Sequence, residues 1–276
     1  MTEPTAAELH AEDLIHIQRL RLMDDDFMKI CFRDNIPAVE YVLRILLEKP
    51  ALRVETLAVE DVIPNLHGHG VRLDIHARDT DGREYDIEVQ RSDQGASSKR
   101  ARYNSSLLDA AALPSGKDYR ALPETYVIFI TENDIFACGE PLYHIERTIR
   151  EAEHRLFGDQ AHILFANGAF RGKNAIGQLM RDMNESNPAK MASSPLKDTV
   201  QRFKNTEEGV STMCRELEKM RTDAEKRGKA RGVMETTMRI IRNMLTRKTP
   251  YAEIAATTDT TVEEVKRIAR ESGLAY

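Results

Sequence analysis

The sequence predicts an α/β protein, in the α+β sense, with an all-helical C-terminal extension, and three observations support this prediction. Apolar residues at helical spacing run through residues 8–48 and stop before Pro50. Apolar segments at 54–90, 126–131 and 163–166 are typical of strands, and a helix rich in small residues is predicted at 97–113. Beyond a linker at 185–195, which is rich in proline and serine, the sequence becomes charged and helical.

Changes in composition divide the chain into three predicted domains. Residues 1–195 form the α/β domain, 196–236 a charged helical stem, and 237–276 a small segment that resembles a helix-turn-helix. The third helix of that segment carries basic residues that suit DNA, but it begins with Glu263 and Glu264, which do not. DNA binding by this segment and a role in dimerisation are therefore equal alternatives.

Composition and charge limit the class of protein. The 276 residues are 41% hydrophobic and carry a net charge of -5, so a core can be buried, and a globally basic nucleic-acid binder is not expected. Residues 197–248 nevertheless hold 14 Lys and Arg against 8 Asp and Glu, which predicts local basic surface. No apolar run approaches the about 20 residues that span a bilayer, and the acidic N-terminus lacks a signal-peptide pattern.

The cysteine pattern predicts the compartment. Cys31, Cys138 and Cys214 lie far apart in the sequence. This odd count without a Cys-x-x-Cys motif excludes a disulfide framework and a cysteine zinc site. We therefore expect a reducing, cytoplasmic location and no membrane partner.

Residues 71–90, VRLDIHARDTDGREYDIEVQ, predict a β-hairpin. A three-residue loop at 80–82 places Ile75 opposite Ile87 and Leu73 opposite Val89, so that apolar residues face apolar partners. A two-residue loop would set each of them opposite a polar residue. We therefore expect the longer loop, with Gly82 in the left-handed region.

The same register sets Asp74 opposite Glu88, with Gln90 one step further along that face. Two adjacent carboxylates repel each other unless a cation or a proton lies between them. Such oxygen ligands suit Mg²⁺ or Mn²⁺, with water and phosphate oxygens completing the octahedron. The pattern is compatible with a metal site that orients a phosphodiester, but an exposed, solvated acidic face is the commoner explanation of such a pattern.

A basic cluster opens the helix that follows the hairpin. It consists of Lys99, Arg100 and Arg102, followed by Tyr103. Positive charge just beyond a carboxylate pair can hold DNA phosphates. The alternative is an ordinary basic first turn on a surface helix.

Taken in order, these motifs resemble the PD-(D/E)XK nuclease family transposases, which are also described as recombination-promoting nucleases. The resemblance covers about residues 22–204, and its segments are DDFMK at 25–29, VRLDI at 71–75, IEVQ at 87–90, KRARY at 99–103, GKDY at 116–119, YVIFI at 126–130, DIF at 134–136, PLY at 141–143, ILFAN at 163–167 and LMRD at 179–182. The Asp-x13-Glu-x-Gln spacing is unspecific by itself, whereas the ordered set of segments is specific.

The resemblance implies a restriction-endonuclease-like core over residues 1–195, in which a mixed central sheet is flanked by helices. It also implies a bacterial DNA endonuclease that depends on Mg²⁺ or Mn²⁺ and is associated with transposition or recombination. Asp74 and Glu88 would be the metal ligands, and Gln90 would be the third catalytic residue, in the position that a lysine fills in the standard core. Glutamine hydrogen-bonds water but supplies no positive charge, so that charge would have to come from elsewhere.

The remaining site residues follow from the same resemblance. Lys99, Arg100, Arg102 and Tyr103 would bind DNA phosphates. Either Lys99, Arg100 or Arg102 would supply the missing charge, or the activity would be low. Glu40, on an early helix, would be an additional acid. Where related sequences often have a basic residue shortly before the hairpin, this chain has His67 and His69 in a glycine-rich stretch, which is compatible with a zinc site but more typical of a loop.

Two classes of function remain open at this point. The first is a metal-dependent DNA endonuclease, and the second is a catalytically inactive DNA-binding or assembly protein derived from a mobile element. The second class does not need both Asp74 and Glu88, and both are present. A homodimer through the C-terminal helices is a further expectation.

Overall fold

Helices and strands alternate through the first two thirds of the chain, and only helices follow. The computed structural model describes residues 6–64, 70–91 and 93–276, so His67 and His69 lie outside the described residues. The α-helices are α1 (Ala6–Arg19), α2 (Asp25–Phe32), α3 (Ile36–Leu46), α4 (Ser98–Ala112), α5 (Ala175–Asn184), α6 (Ser194–Asn205), α7 (Glu207–Thr246), α8 (Tyr251–Thr258) and α9 (Val262–Glu271). The strands are β1 (Val54–Ile63), β2 (Val71–Asp79), β3 (Glu84–Gln90), β4 (Thr125–Thr131), β5 (Leu142–Ile145), β6 (Thr148–Ile149), β7 (Arg155–Leu156) and β8 (Ala161–Asn167).

Six strands form one mixed sheet in the order β1-β2-β3-β4-β8-β5. The first three strands pair antiparallel, β3, β4 and β8 run parallel, and β5 is antiparallel to β8. The crossover between β3 and β4 contains α4, as parallel neighbours require. The predicted α/β fold, with a mixed sheet flanked by helices, is confirmed. No helix in the described ranges combines the length and apolarity needed to cross a membrane.

The hairpin between β2 and β3 has the predicted loop. Its ladder runs from Ile75 opposite Ile87 to Arg78 opposite Glu84, and Gly82 has a φ of 83°. The predicted pair of Leu73 and Val89 lies just beyond the end of this ladder. The two strands separate there because β2 stays paired with β1 and β3 stays paired with β4.

One face of the sheet packs against α4. Ser97 caps this helix by accepting a hydrogen bond from the backbone N–H of Arg100, at 3.2 Å. Its inward side chains, Ala101 and Leu108, share a hydrophobic core with Phe129 of β4 and other sheet residues. The predicted helix at 97–113 therefore lies over the sheet, with its capped N-terminus towards the open end of the hairpin.

The N-terminal region predicted as helical divides into α1, α2 and α3. The break between α2 and α3 lies at Asn35. This residue caps α3 by accepting a hydrogen bond from Ala38 N–H at 3.3 Å, and Pro37 occupies the first turn of α3. The stretch at 185–195 is partly buried, since Pro188 and Met191 are covered and Ser193 N–H donates to Asp182 at 2.8 Å.

The chain forms two compact units, Met1–Met213 and Cys214–Tyr276. The second unit has its own small core, to which Ile241 of α7, Ile254 of α8 and Ile268 of α9 contribute. Thr261 caps α9 by accepting a hydrogen bond from Glu264 N–H at 3.2 Å. The three short helical segments predicted at this end are thus present, the first of them as the end of α7.

Candidate active site

The hairpin opens at the position of the predicted carboxylate pair. The last pair in the ladder between β2 and β3 is Ile75 with Ile87. Asp74 and Glu88 are the next residues beyond this pair, at the open end of the hairpin. Beyond this point β3 continues in register with β4, where Glu88 lies opposite Phe129. Side chains of the neighbouring helices α2 and α4 contact the acidic groups at this opening.

The acidic groups at this opening are buried. Asp74 is 5% exposed, and Glu88 and Asp86 are both 0% exposed. A solvated hairpin face is therefore the wrong explanation of the alternating acidic pattern. Asp86, which was not among the predicted site residues, lies two residues before Glu88 and makes the site a cluster of three carboxylates.

Lys29 of α2 supplies a cation on the Asp74 side of the cluster. Its ammonium lies 2.8 Å from Asp74 Oδ1 and 2.9 Å from Asp25 Oδ2, and its side chain is only 12% exposed. Burial opposes the charge, but the two carboxylates prevail and raise the pKa of Lys29 above its ordinary value. Lys29 therefore keeps a positive charge inside the site.

Arg100 and Asn104 of α4 contact the carboxylates of β3. Arg100 Nη2 forms an ion pair with Glu88 Oε2, and its Nη1 donates to the backbone oxygen of Gly95 at 3.0 Å. Asn104 Nδ2 donates to Asp86 Oδ2 at 3.0 Å and to Glu88 Oε1 at 3.3 Å. These two helix residues lie four apart and therefore on one face of α4.

The electrostatics of the cluster favour protonation of the β3 carboxyls while no further cation is present. Burial, together with the charges of Asp86 and Asp74, raises the pKa of Glu88, and Arg100 only partly opposes this. Burial also raises the pKa of Asp86, against the hydrogen bond from Asn104. Removal of the two β3 carboxylates from water disfavours their charged forms, and repulsion adds to that effect.

Gln90 lies at the mouth of the site. Its Nε2 donates to Glu88 Oε2 at 3.3 Å. The close approach of the loop at Gly95 holds this side chain in place, because a Cβ atom at Gly95 would come within 2.0 Å of Gln90 Oε1. A larger residue at position 95 would thus displace the amide end of the Gln90 side chain.

The structure brings only one of the predicted phosphate-binding residues into the cluster. Arg100 faces the carboxylates, whereas Lys99, Arg102 and Tyr103 are exposed on the outer side of the same helical turn. They form an accessible surface beside the site.

Glu40 has different partners. It pairs with Arg44 and accepts a hydrogen bond from Val54 N–H at 2.9 Å, so it ties α3 to the start of β1. Its contacts are with Arg44, Arg53 and Val54, and these lie apart from the acidic cluster. The acidic residue that an N-terminal helix does bring near Asp74 is Asp25, through their shared partner Lys29.

The donor set fits a divalent cation in part. Asp74 Oδ2 and Asp86 Oδ1 are buried and have no hydrogen-bond partner, which is costly unless another group binds there. Within residues 6–64, 70–91 and 93–276 no three His, Cys, Asp or Glu side chains are arranged to hold a metal. The protein would thus supply two carboxylates, Asp74 and Glu88, and water or phosphate oxygens would supply the rest, as is common for Mg²⁺.

Comparison with known proteins gives one result. Residues 46–167 match the family model described as PD-(D/E)XK nuclease family transposase. No curated protein and no solved structure matches the chain. The matched range contains Asp74, Glu88, Gln90 and the basic cluster, but neither Lys29 nor Glu40.

Proposed function

Because residues 46–167 constitute a PD-(D/E)XK nuclease family transposase domain, we propose that this chain is a divalent-metal-dependent DNA endonuclease. The observation that carries the proposal is the buried carboxylate pair, Asp74 and Glu88, at the open end of the hairpin. Burial of three adjacent carboxyl groups, with Asp74 Oδ2 and Asp86 Oδ1 left without a partner, is unfavourable for stability alone. Their presence is explained when a cation binds them.

In this proposal Asp74 and Glu88 hold Mg²⁺ or Mn²⁺. When bound, such an ion would draw electron density from the scissile phosphate and favour ionisation of the attacking water. Asn104 orients Glu88 by donating to its Oε1, which leaves Oε2 facing Gln90 and Arg100. The role of Asn104 is therefore to fix the direction of the ligand carboxylate.

Gln90 orients water in this scheme. Its amide both donates and accepts hydrogen bonds and carries no charge, so it can align a water molecule beside Glu88 but cannot neutralise a phosphate. Arg100 contributes positive charge at the site and balances Glu88. Lys99, Arg102 and Tyr103 contact flanking DNA phosphates from the exposed side of α4, which fits their accessibility.

The test is nicking of supercoiled plasmid by the purified full chain with Mg²⁺, with Mn²⁺ or with chelator. Asp74→Ala and Glu88→Gln are expected to abolish nicking and to remain folded, since each removes one of several repelling carboxylates. Asp81→Ala is the matched control, because Asp81 belongs to the same hairpin but is 67% exposed and pairs with Arg83 outside the cluster.

The outcomes distinguish the two classes of function. Metal-dependent nicking that is lost in Asp74→Ala but kept in Asp81→Ala supports the enzyme and its site. Equal nicking by all variants identifies a contaminant or a different site. No nicking with either metal contradicts the proposal and favours an inactive DNA-binding or assembly protein.

A further inference from the structure

The proposed site has a positive charge that its sequence motif does not include. Gln90 is neutral, and Arg100 is engaged by Glu88 and by the backbone of Gly95. Lys29 is the second cation, and its side chain is more deeply buried than that of Arg100, at 12% exposed against 36%. It reaches the cluster from α2, a helix that lies outside the matched range of 46–167.

The contacts of Lys29 are unusual for a surface ion pair. Its ammonium binds Asp74 and Asp25 together, and both carboxylates keep one buried oxygen without a hydrogen-bond partner. Asp74 Oδ1 is thus occupied by the ammonium, while Asp74 Oδ2 is free to accept another cation. A lysine ammonium is a compact charge with three donors on a flexible stem, so it can move while remaining in the site.

We propose that Lys29 is a positioning residue of this site, which balances Asp74 before a divalent cation binds and supplies the positive charge that Gln90 lacks. This inference rests on the proposed function. Lys29 and the divalent cation would then compete for the charge of Asp74, and the presence of Lys29 would weaken metal binding. In return, the site would keep a cation beside the phosphate for cleavage.

Two measurements test the inference, and the first does not depend on activity. Calorimetric titration of Mn²⁺ into Lys29→Met is expected to give a dissociation constant about tenfold lower than that of the wild type, because a competing charge next to Asp74 is removed. Lys117→Met is the control: Lys117 is an exposed residue outside the site, so the same change of charge should leave the Mn²⁺ affinity unchanged.

The second measurement is a rescue of plasmid nicking. Lys29→Met is expected to reduce nicking about 100-fold, as loss of a preorganised charge does elsewhere. The double variant Lys29→Met/Gln90→Lys restores a lysine at the standard position and is expected to recover nicking to within about tenfold of the wild type. If Lys29 were needed only for folding, a lysine at position 90 on β3 would not restore nicking.

Each outcome has one meaning. Unchanged Mn²⁺ affinity in Lys29→Met, wild-type nicking by that variant, or absence of rescue by Gln90→Lys overturns the inference while the endonuclease stands. If the wild type nicks nothing, the proposed function fails, and the titration alone decides whether Lys29 competes with a cation at Asp74. If circular dichroism shows Lys29→Met to be unfolded, Lys29→Arg decides: this variant keeps the charge, and a folded Lys29→Arg without nicking overturns the inference.

Discussion

Lys204 is a buried lysine whose charge has a measurable effect on stability. The residue is 2% exposed, and its ammonium donates to the backbone oxygens of Gln18, Leu20 and Ser186, at 3.0, 2.5 and 2.6 Å. These contacts join α6 to the end of α1 and to the segment after α5. Burial lowers the pKa of Lys204 to about 8, against about 10.4 in an unfolded chain.

The lowered pKa fixes the sign of the pH dependence. Between pH 8 and pH 10.4 the unfolded chain binds more protons at this position than the folded chain, so the contribution of Lys204 to stability increases with pH. One pKa unit corresponds to about 1.4 kcal/mol. Ionisation of Lys204 thus costs about 3 kcal/mol at pH 7, and about 2 kcal/mol of that cost is removed by pH 9.5.

The assay compares the wild type with Lys204→Met by urea unfolding at pH 7 and pH 9.5. Methionine fills a similar volume without a charge, and titrating groups that do not interact with Lys204 cancel in the difference between the two proteins. We expect the free energy of unfolding of the wild type to gain about 2 kcal/mol relative to the variant over this range. A difference that stays constant or moves the other way would refute this reasoning, and would mean that the three carbonyls keep the ammonium charged.

Four further substitutions test the site and its support. Asn104→Leu removes the donor to the two β3 carboxylates and is expected to lower nicking at least tenfold, about 1.4 kcal/mol; unchanged nicking would contradict the orienting role of Asn104. Arg100→Met is expected to reduce nicking about 100-fold. Arg102→Met is expected only to reduce the slope of log K against log salt for DNA binding by about one, as loss of one phosphate contact does. Equal effects of the two substitutions on nicking would show that Arg100 acts only as a surface charge. Asp182→Ala leaves the buried N–H and hydroxyl of Ser193 without an acceptor. It is expected to lower the free energy of unfolding, measured in urea, by about 3 kcal/mol. A decrease below about 1 kcal/mol would contradict this role of Asp182.

The hairpin was predictable because its register follows from the alternation of the sequence. Only one loop length sets Ile75 against Ile87, and the structure has that loop. The end of the ladder was not predictable in this way, since the separation of β2 from β3 depends on their other neighbours, β1 and β4. Alternation within one hairpin contains no information about these long-range pairings.

The sequence predicted Asp74 and Glu88 as neighbours, and the structure buries both of them, but Lys29 and Asn104 were not among the predicted site residues. Lys29 and Asn104 reach the cluster from helices that precede and follow the hairpin, and their contacts depend on tertiary packing. A local signal did exist for Lys29, because Asp25 and Lys29 form an i,i+4 pair that opens α2. For Asn104 the signal was its position four residues after Arg100, on the same helix face.

Asp86 shows why burial cannot be read from alternation alone. The sequence places it on the polar face of the hairpin, and such faces are usually exposed. Here α4 covers that face and brings Asn104 to within 3.0 Å of Asp86. A second layer over the polar face converts an ordinary acidic strand into a buried cluster.

The separation of β2 and β3 also has a consequence for the order in which the protein folds. Hairpin contacts next to the loop at Gly82 are local and form on the microsecond timescale, whereas Lys29 and Arg100 belong to segments outside the hairpin and pay a larger loop-closure cost. We therefore expect the hairpin to form from its loop towards Asp74 and Glu88 and to bring like charges together before their counterions have docked. Closure of the acidic end would then belong to the late docking of α2 and α4, and this end would be the first part of the hairpin to open when either helix detaches.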